Sequence, residues 1–245
     1  KIIRGGTGYG ISQDLPSEVE HIYPDYSLYP KLENTAVGFL TRGCPNNCSF
    51  CIVSGKEGLV SHKVADLSEF YKGQKEIILL DSNILACRDR TELLESLAGK
   101  KVKFQQGLDI RLMDNKAIDL LKNINITNWF FAWDLEKNSK RIKEGLLLWR
   151  GAYPEIRPMD ISVYVLVNYN TTREFDIERC EWLFQNGFSP FVMIYERWKC
   201  DRWYKDLQRY YNNKHLLYSK HRVSLEQYIK NGGNFVDSQQ PSFFD

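Results

Sequence analysis

Short apolar runs alternate with stretches of helical spacing along most of the chain. Six runs, at 36–40, 76–80, 102–105, 129–133, 161–167 and 191–195, are rich in β-branched and aromatic residues. The run at 76–80, Glu-Ile-Ile-Leu-Leu, is nearly continuous, the pattern of a strand buried on both faces. Between the runs, apolar residues recur at helical spacing over 64–71, 91–98, 115–121, 135–149 and 176–185. Strand and helix signals in alternation predict βα units and an α/β fold with a parallel sheet. Right-handed crossovers then carry the helices to the outside.

In folds of this kind, chemistry gathers at the C-terminal ends of the strands. The residues just after the runs are polar: Asp81-Ser82-Asn83, then Gln105-Gln106 leading to Asp109 and Arg111, then Asp134, Asn168 and Tyr195-Glu196. The first run ends differently, in Thr41-Arg42-Gly43-Cys44-Pro45-Asn46-Asn47-Cys48-Ser49-Phe50-Cys51. Three of the six cysteines fall within eight positions, spaced C-x3-C-x2-C. Three soft thiolates this close favour an iron–sulfur cluster or zinc over a hard cation. A [4Fe–4S] cube has one iron more than this loop has thiolates; unless a distant cysteine completes the set, that iron is open to another molecule.

The cysteine spacing, with the aromatic Phe50 before the last cysteine, resembles the cluster loop of radical S-adenosylmethionine (SAM) enzymes. The resemblance implies a [4Fe–4S] cluster on Cys44, Cys48 and Cys51, with SAM chelated at the open iron. It implies reductive cleavage of SAM to methionine and a 5′-deoxyadenosyl radical that abstracts hydrogen from a substrate. An electron donor such as flavodoxin or ferredoxin follows from the same chemistry. The six βα units resemble the partial (β/α)6 TIM-type barrel of that family, over 35–200. The resemblance assigns cofactor contacts to Phe50, Asp81, Ser82, Asn83, Gln106, Asp109, Arg111, Asp134, Asn168 and Tyr195. Many members carry Gly-Gly-Glu after the second strand to hold the SAM amino group; this chain has Asp81-Ser82-Asn83 there. Arg111 suits a carboxylate by its planar fork, or pairs with Asp109 as an ion pair of the rim. Stand-alone radical SAM proteins of bacteria and their phages are the nearest likeness.

Two other readings of the cysteines stand beside this one. His62 is the nearest downstream imidazole and would complete a zinc knuckle in a zinc-binding nucleic-acid-interaction module. A radical SAM enzyme that modifies a nucleic acid base is the other. A disulfide framework fits poorly, since six cysteines in 245 residues are dilute and no apolar leader opens the chain. The expected compartment is therefore the cytoplasm, where thiolates stay reduced. Cys87, Cys180 and Cys200 share no ligand spacing and read as buried or half-buried thiols.

Composition changes this picture little. A hydrophobic fraction of 43%, a charged fraction of 26% and a formal charge of +2 are ordinary for a globular protein. No apolar run approaches a membrane span. Residues 1–34 form a lead-in, with a short strand at 1–4 and glycines at 5–10 that read as a turn. Such lead-ins are similar to the segment joining a cobalamin domain to the radical SAM domain in the B12-type subgroup, though D-x-H-x-x-G is absent. They read as a linker to, or remnant of, a missing domain. Residues 201–245 read as a helical extension and tail. The stretch 197–222 carries eight Lys and Arg against two Asp, interleaved with aromatics. Single-stranded nucleic acid binds such surfaces. Trp203, Leu207 and Tyr210 or Tyr211 also fall at helical spacing, which favours a helix packed on the fold.

Overall fold

The computed structural model describes residues 15–220 and 222–233. The expected strand at 1–4 and glycine turn at 5–10, together with His221 and the tail from 234, lie outside the described residues. The chain divides into two compact units between Phe130 and Phe131. Each is built on a parallel sheet with helices outside it.

The first unit contains β1 (Thr35–Gly38), β2 (Thr41–Arg42), β3 (His62–Lys63), β4 (Glu76–Leu79), β5 (Lys101–Phe104) and β6 (Asn125–Ile126). Its helices are α1 (Ser17–Glu20), α2 (Val53–Glu57), α3 (Arg90–Ser96) and α4 (Asn115–Leu121). Four strands form one parallel sheet in the order β1-β4-β5-β6. Ile77 and Leu79 of β4, and Val102 and Phe104 of β5, alternate into the core. Leu93 and Leu94 of α3 and Ile118 and Leu121 of α4 are buried too. Asp114 caps α4, accepting Ala117 N–H at 2.7 Å and Arg90 Nη2–H at 2.6 Å.

The helix expected over 64–71 is instead one 3-10 turn, Leu67–Glu69. Asp66 and Glu69 close a capping box on that single turn. Phe70 then leaves helical geometry at φ −133°. Its ring lies on β1, where a Cβ at Gly38 would sit 2.5 Å from it. The aromatic packing on the glycine thus outcompetes further helix.

The second unit holds β7 (Trp129–Ala132), which spans the division, β8 (Ile161–Val167) and β9 (Ser189–Ile194). Its helices are α5 (Ser139–Ala152), α6 (Arg173–Gln185), α7 (Arg202–Asn212), α8 (Lys214–Leu217) and α9 (Leu225–Lys230). The sheet order is β7-β8-β9, with β8 and β9 parallel from Ser162↔Ser189 to Val167↔Ile194. Ile161, Val163, Val165 and Val167 are fully buried. Ile142, Leu146 and Trp149 of α5 are buried as well.

Arg179 of α6 is fully buried and fastens two strand ends together. It donates to Trp133 O at 2.5 Å, Asp134 O at 2.9 Å and Leu166 O at 2.8 Å, and it pairs with Asp176. A buried cation is tolerated here because carbonyls and a carboxylate replace its water.

The basic aromatic stretch forms α7 and α8. Tyr204, Leu207, Tyr210 and Tyr211 are buried, so these rings are packed rather than offered to bases. Arg202 and Arg209 lie on the outer side and pair with Asp206. Gln208 and Asn212 bind the backbone of Val192 at 3.0 and 2.7 Å and so cover β9. Among the described residues no helix is long and apolar enough to cross a membrane.

Candidate metal centre

The cysteine loop hangs from a two-stranded ribbon. β2 and β3 pair antiparallel, Thr41 opposite Lys63 and Arg42 opposite His62, and this pairing closes the base of the loop. Gly43 follows at φ +88°, and a Cβ there would lie 2.1 Å from Val60 O. Only glycine allows that approach. Cys44 N–H then donates to Gly58 O at 3.1 Å, and Cys51 N–H to Cys48 O at 2.9 Å. Asn47 takes the left-handed conformation, φ 45°, that turns the chain between the first two cysteines. Glu57 of α2 reaches back, accepting from Gly43 N at 3.0 Å, Ser82 Oγ at 3.0 Å and Arg42 Nη1 at 3.2 Å.

Two carboxylates lie behind the loop. Asp81 follows β4, is 4% exposed, and accepts from Leu40 N at 3.1 Å, Thr41 N at 2.5 Å and Thr41 Oγ1 at 2.7 Å. Burial pushes its carboxyl up, and the Thr41 and Leu40 bonds offset only part of that. Asp81, expected among the SAM contacts, thus spends its carboxylate on the entry to the cysteine loop.

Asp109 accepts Arg111 Nε at 2.7 Å and Nη2 at 2.8 Å, the bidentate rim pair. Its Oδ2 also accepts Asn46 Nδ2 from within the cysteine loop and Asn83 Nδ2 from beyond β4, each at 2.9 Å. Burial acts to raise its carboxyl, but Arg111, Asn46 and Asn83 together hold it below the usual range. Burial lowers the Arg111 guanidinium, and Asp109, with the Cys48 and Cys44 thiols, more than reverses this.

Asn83 joins these parts. It is 2% exposed, and its Nδ2 points to Cys44 Sγ at 3.6 Å as well as to Asp109. Ser61 Oγ donates to its carbonyl at 2.8 Å. Its Oδ1 is buried and has no hydrogen-bond partner among the described residues. Phe50 and Ser82 are half-buried, and Gln106 is exposed on the turn after β5.

The remaining expected residues form a group in the second unit, at the ends of its strands. Asp134 Oδ1 accepts Leu166 N–H at 3.2 Å. Asn168, left-handed at φ 63°, donates to Tyr195 O at 3.0 Å. The Tyr195 ring meets Tyr169 edge-on at 4.6 Å. Cys87 and Cys180 are buried and Cys200 is half-buried, as expected. Burial pushes the Cys180 thiol up.

Asn46, Glu57 and Ser61 are the site residues that sequence reasoning missed. Asn46 had a signal, since it lies inside the cysteine motif; Glu57 and Ser61 had none. His62 sits with Nδ1 at 3.0 Å from Val60 O. Among the described residues no three Cys, His, Asp or Glu side chains converge tightly enough to hold a single metal ion. A cube takes each thiolate on a different iron, so it spreads its ligands more widely than one tetrahedral ion does. A cavity of about 550 Å³ lies beside β1 and α2, lined by residues including Phe39, Arg42 and Phe70, and no cysteine lines it.

Fold and site define an α/β protein whose three-cysteine loop follows the first strand and is clamped by buried polar groups. No protein-family model matches the sequence. A CDK5RAP1-like protein of Oryza sativa subsp. japonica is 31% identical over an alignment of 120 residues that covers 44% of this chain. The chain spans about a fifth of that curated relative's length, 20%.

Proposed function

We propose that the chain is a radical SAM iron–sulfur enzyme. Cys44, Cys48 and Cys51 hold a [4Fe–4S] cluster, and SAM lies against the loop and the strand ends. The observation that carries this is Asn83 beside Cys44. Its N–H is directed at the sulfur, which suits a thiolate acceptor, while its Oδ1 is buried without a donor. A buried acceptor of this kind is costly unless a ligand brings the missing hydrogen. The SAM ammonium is such a donor, and Asn83 stands where the family's Gly-Gly-Glu stands.

When bound, the cluster supplies the electron that splits SAM to the 5′-deoxyadenosyl radical. The chain's own residues prepare the place. Asp109 ties Asn46 and Asn83 to one carboxylate, so the loop and the end of β4 hold a fixed relation. Asp109 in turn is held by the two-pronged contact from Arg111. Phe50 offers a flat apolar face for adenine. The partial (β/α)6 barrel belongs to the same reading, supported by parallel sheets, outer helices and a loop that follows β1. A cytoplasmic setting and a flavodoxin or ferredoxin donor complete it; the substrate is unassigned.

The test is anaerobic incubation of the reduced protein with SAM. The expected result is 5′-deoxyadenosine, formed slowly without substrate and absent in Cys48→Ala. Bound zinc with no deoxyadenosine would favour the zinc-binding reading instead.

A further inference from the structure

Resting on that reading, we propose that Asn83 tunes the reduction potential of the cluster through an N–H···S hydrogen bond to Cys44. The Asn83 amide has two N–H groups on Nδ2. One is directed to Asp109 Oδ2 at 2.9 Å and the other to Cys44 Sγ at 3.6 Å. The first bond orients the second. Asp109 is itself held by the two-pronged Arg111 contact and by Asn46, so the amide plane cannot easily turn. Ser61 fixes the Asn83 backbone from the other side. Asn83 itself is 2% exposed, so water does not compete for its amide.

Hydrogen bonds to the sulfurs are among the levers that set the potential of an iron–sulfur cluster. Reduction adds negative charge that spreads onto the thiolates. A donor pointed at a thiolate stabilises the reduced state more than the oxidised one. Asn83 therefore raises the potential and makes the cluster easier to charge. In this role Asn83 is a positioning residue: its N–H works through Cys44, apart from the acceptor that its Oδ1 offers to SAM.

The experiment is a redox titration of the reconstituted protein, followed by electron paramagnetic resonance, with iron and sulfide measured on the same samples. Asn83→Leu keeps the size of the side chain and removes both N–H groups. The expected result is full iron and sulfide with a lower midpoint. The reduced-to-oxidised ratio at a fixed potential should fall about tenfold, about 59 mV for one electron. Asn83→Asp serves where the leucine variant loses its cluster, and should also titrate below wild type. A full cluster with an unchanged or higher midpoint in the variant that retains it would overturn the proposal. Loss of iron from both variants, folded by circular dichroism, would also overturn it and make Asn83 a retention residue. Wild-type protein without iron and sulfide would instead remove the cluster reading, and this proposal with it.

Discussion

Two carboxylates, the buried Asp81 and the half-buried Asp109, divide the support of the cysteines between them. Asp109 holds the loop to the end of β4, and Asp81 holds the backbone where the chain enters the loop. The sequence places both among cofactor contacts, because both follow strands. The structure separates them by what surrounds each carboxylate: amides and a guanidinium for Asp109, backbone N–H groups for Asp81. Asp81→Ala should leave the Leu40 and Thr41 donors unpaired in a buried place. The expected loss is about 1–3 kcal/mol in urea unfolding of the metal-free protein, with weaker iron retention beside it. An unchanged urea midpoint would show that these bonds hold nothing.

Single helices are supported by local chemistry that titration and truncation can read. Asp114 caps α4 and pairs with Arg90. Burial acts upward on its carboxyl, but the Ala117 N–H and Arg90 pull it below the usual range. A depressed folded value means the stabilisation is complete above the unfolded value of about 3.9 and is lost as pH falls through the lower folded value. Asp114→Ala should therefore cost about 1 kcal/mol at pH 7, and the gap to wild type should close in acid. A gap independent of pH would rule out the charged cap. For α7, Leu207 is fully buried, and Leu207→Ala should cost about 2–5 kcal/mol. Lys205→Gln and Arg209→Gln should stay within about 0.5 kcal/mol. Lys214 differs from them, because it donates to Met159 O at 2.7 Å and Ser162 Oγ at 3.0 Å. Urea midpoints of the three variants check this order; equal losses would place α7 elsewhere than on a core. The strands β4 and β8 were legible because their apolar runs are nearly continuous. The ribbon of β2 and β3 was not, since two residues per strand carry no period. Residues 64–71 misled because the spacing is helical, while the choice between helix and turn lay with Gly38, far away in the chain. The cysteines were legible as a contiguous motif. The orientation of Asn83 toward Cys44, 39 positions away, was not, because spacing says nothing about a tertiary contact.

Across the chain, two parallel α/β units each bring polar residues to their strand ends. Arg179 fixes that end in the second unit, and the cysteine loop with its buried clamp occupies it in the first. The aromatics of α7 are spent on packing, which leaves the cysteine loop as the richest chemistry among the described residues. Everything proposed for function therefore turns on what that loop binds. Anaerobically purified and reconstituted protein, analysed for iron, acid-labile sulfide and zinc, decides it. The expected content is about four irons and four sulfides per chain. Cys44→Ala, Cys48→Ala and Cys51→Ala should each lose the cluster, while Cys87→Ala, Cys180→Ala and Cys200→Ala should keep it. Zinc without sulfide, or loss of the cluster in Cys200→Ala, would contradict a three-cysteine site with one open iron.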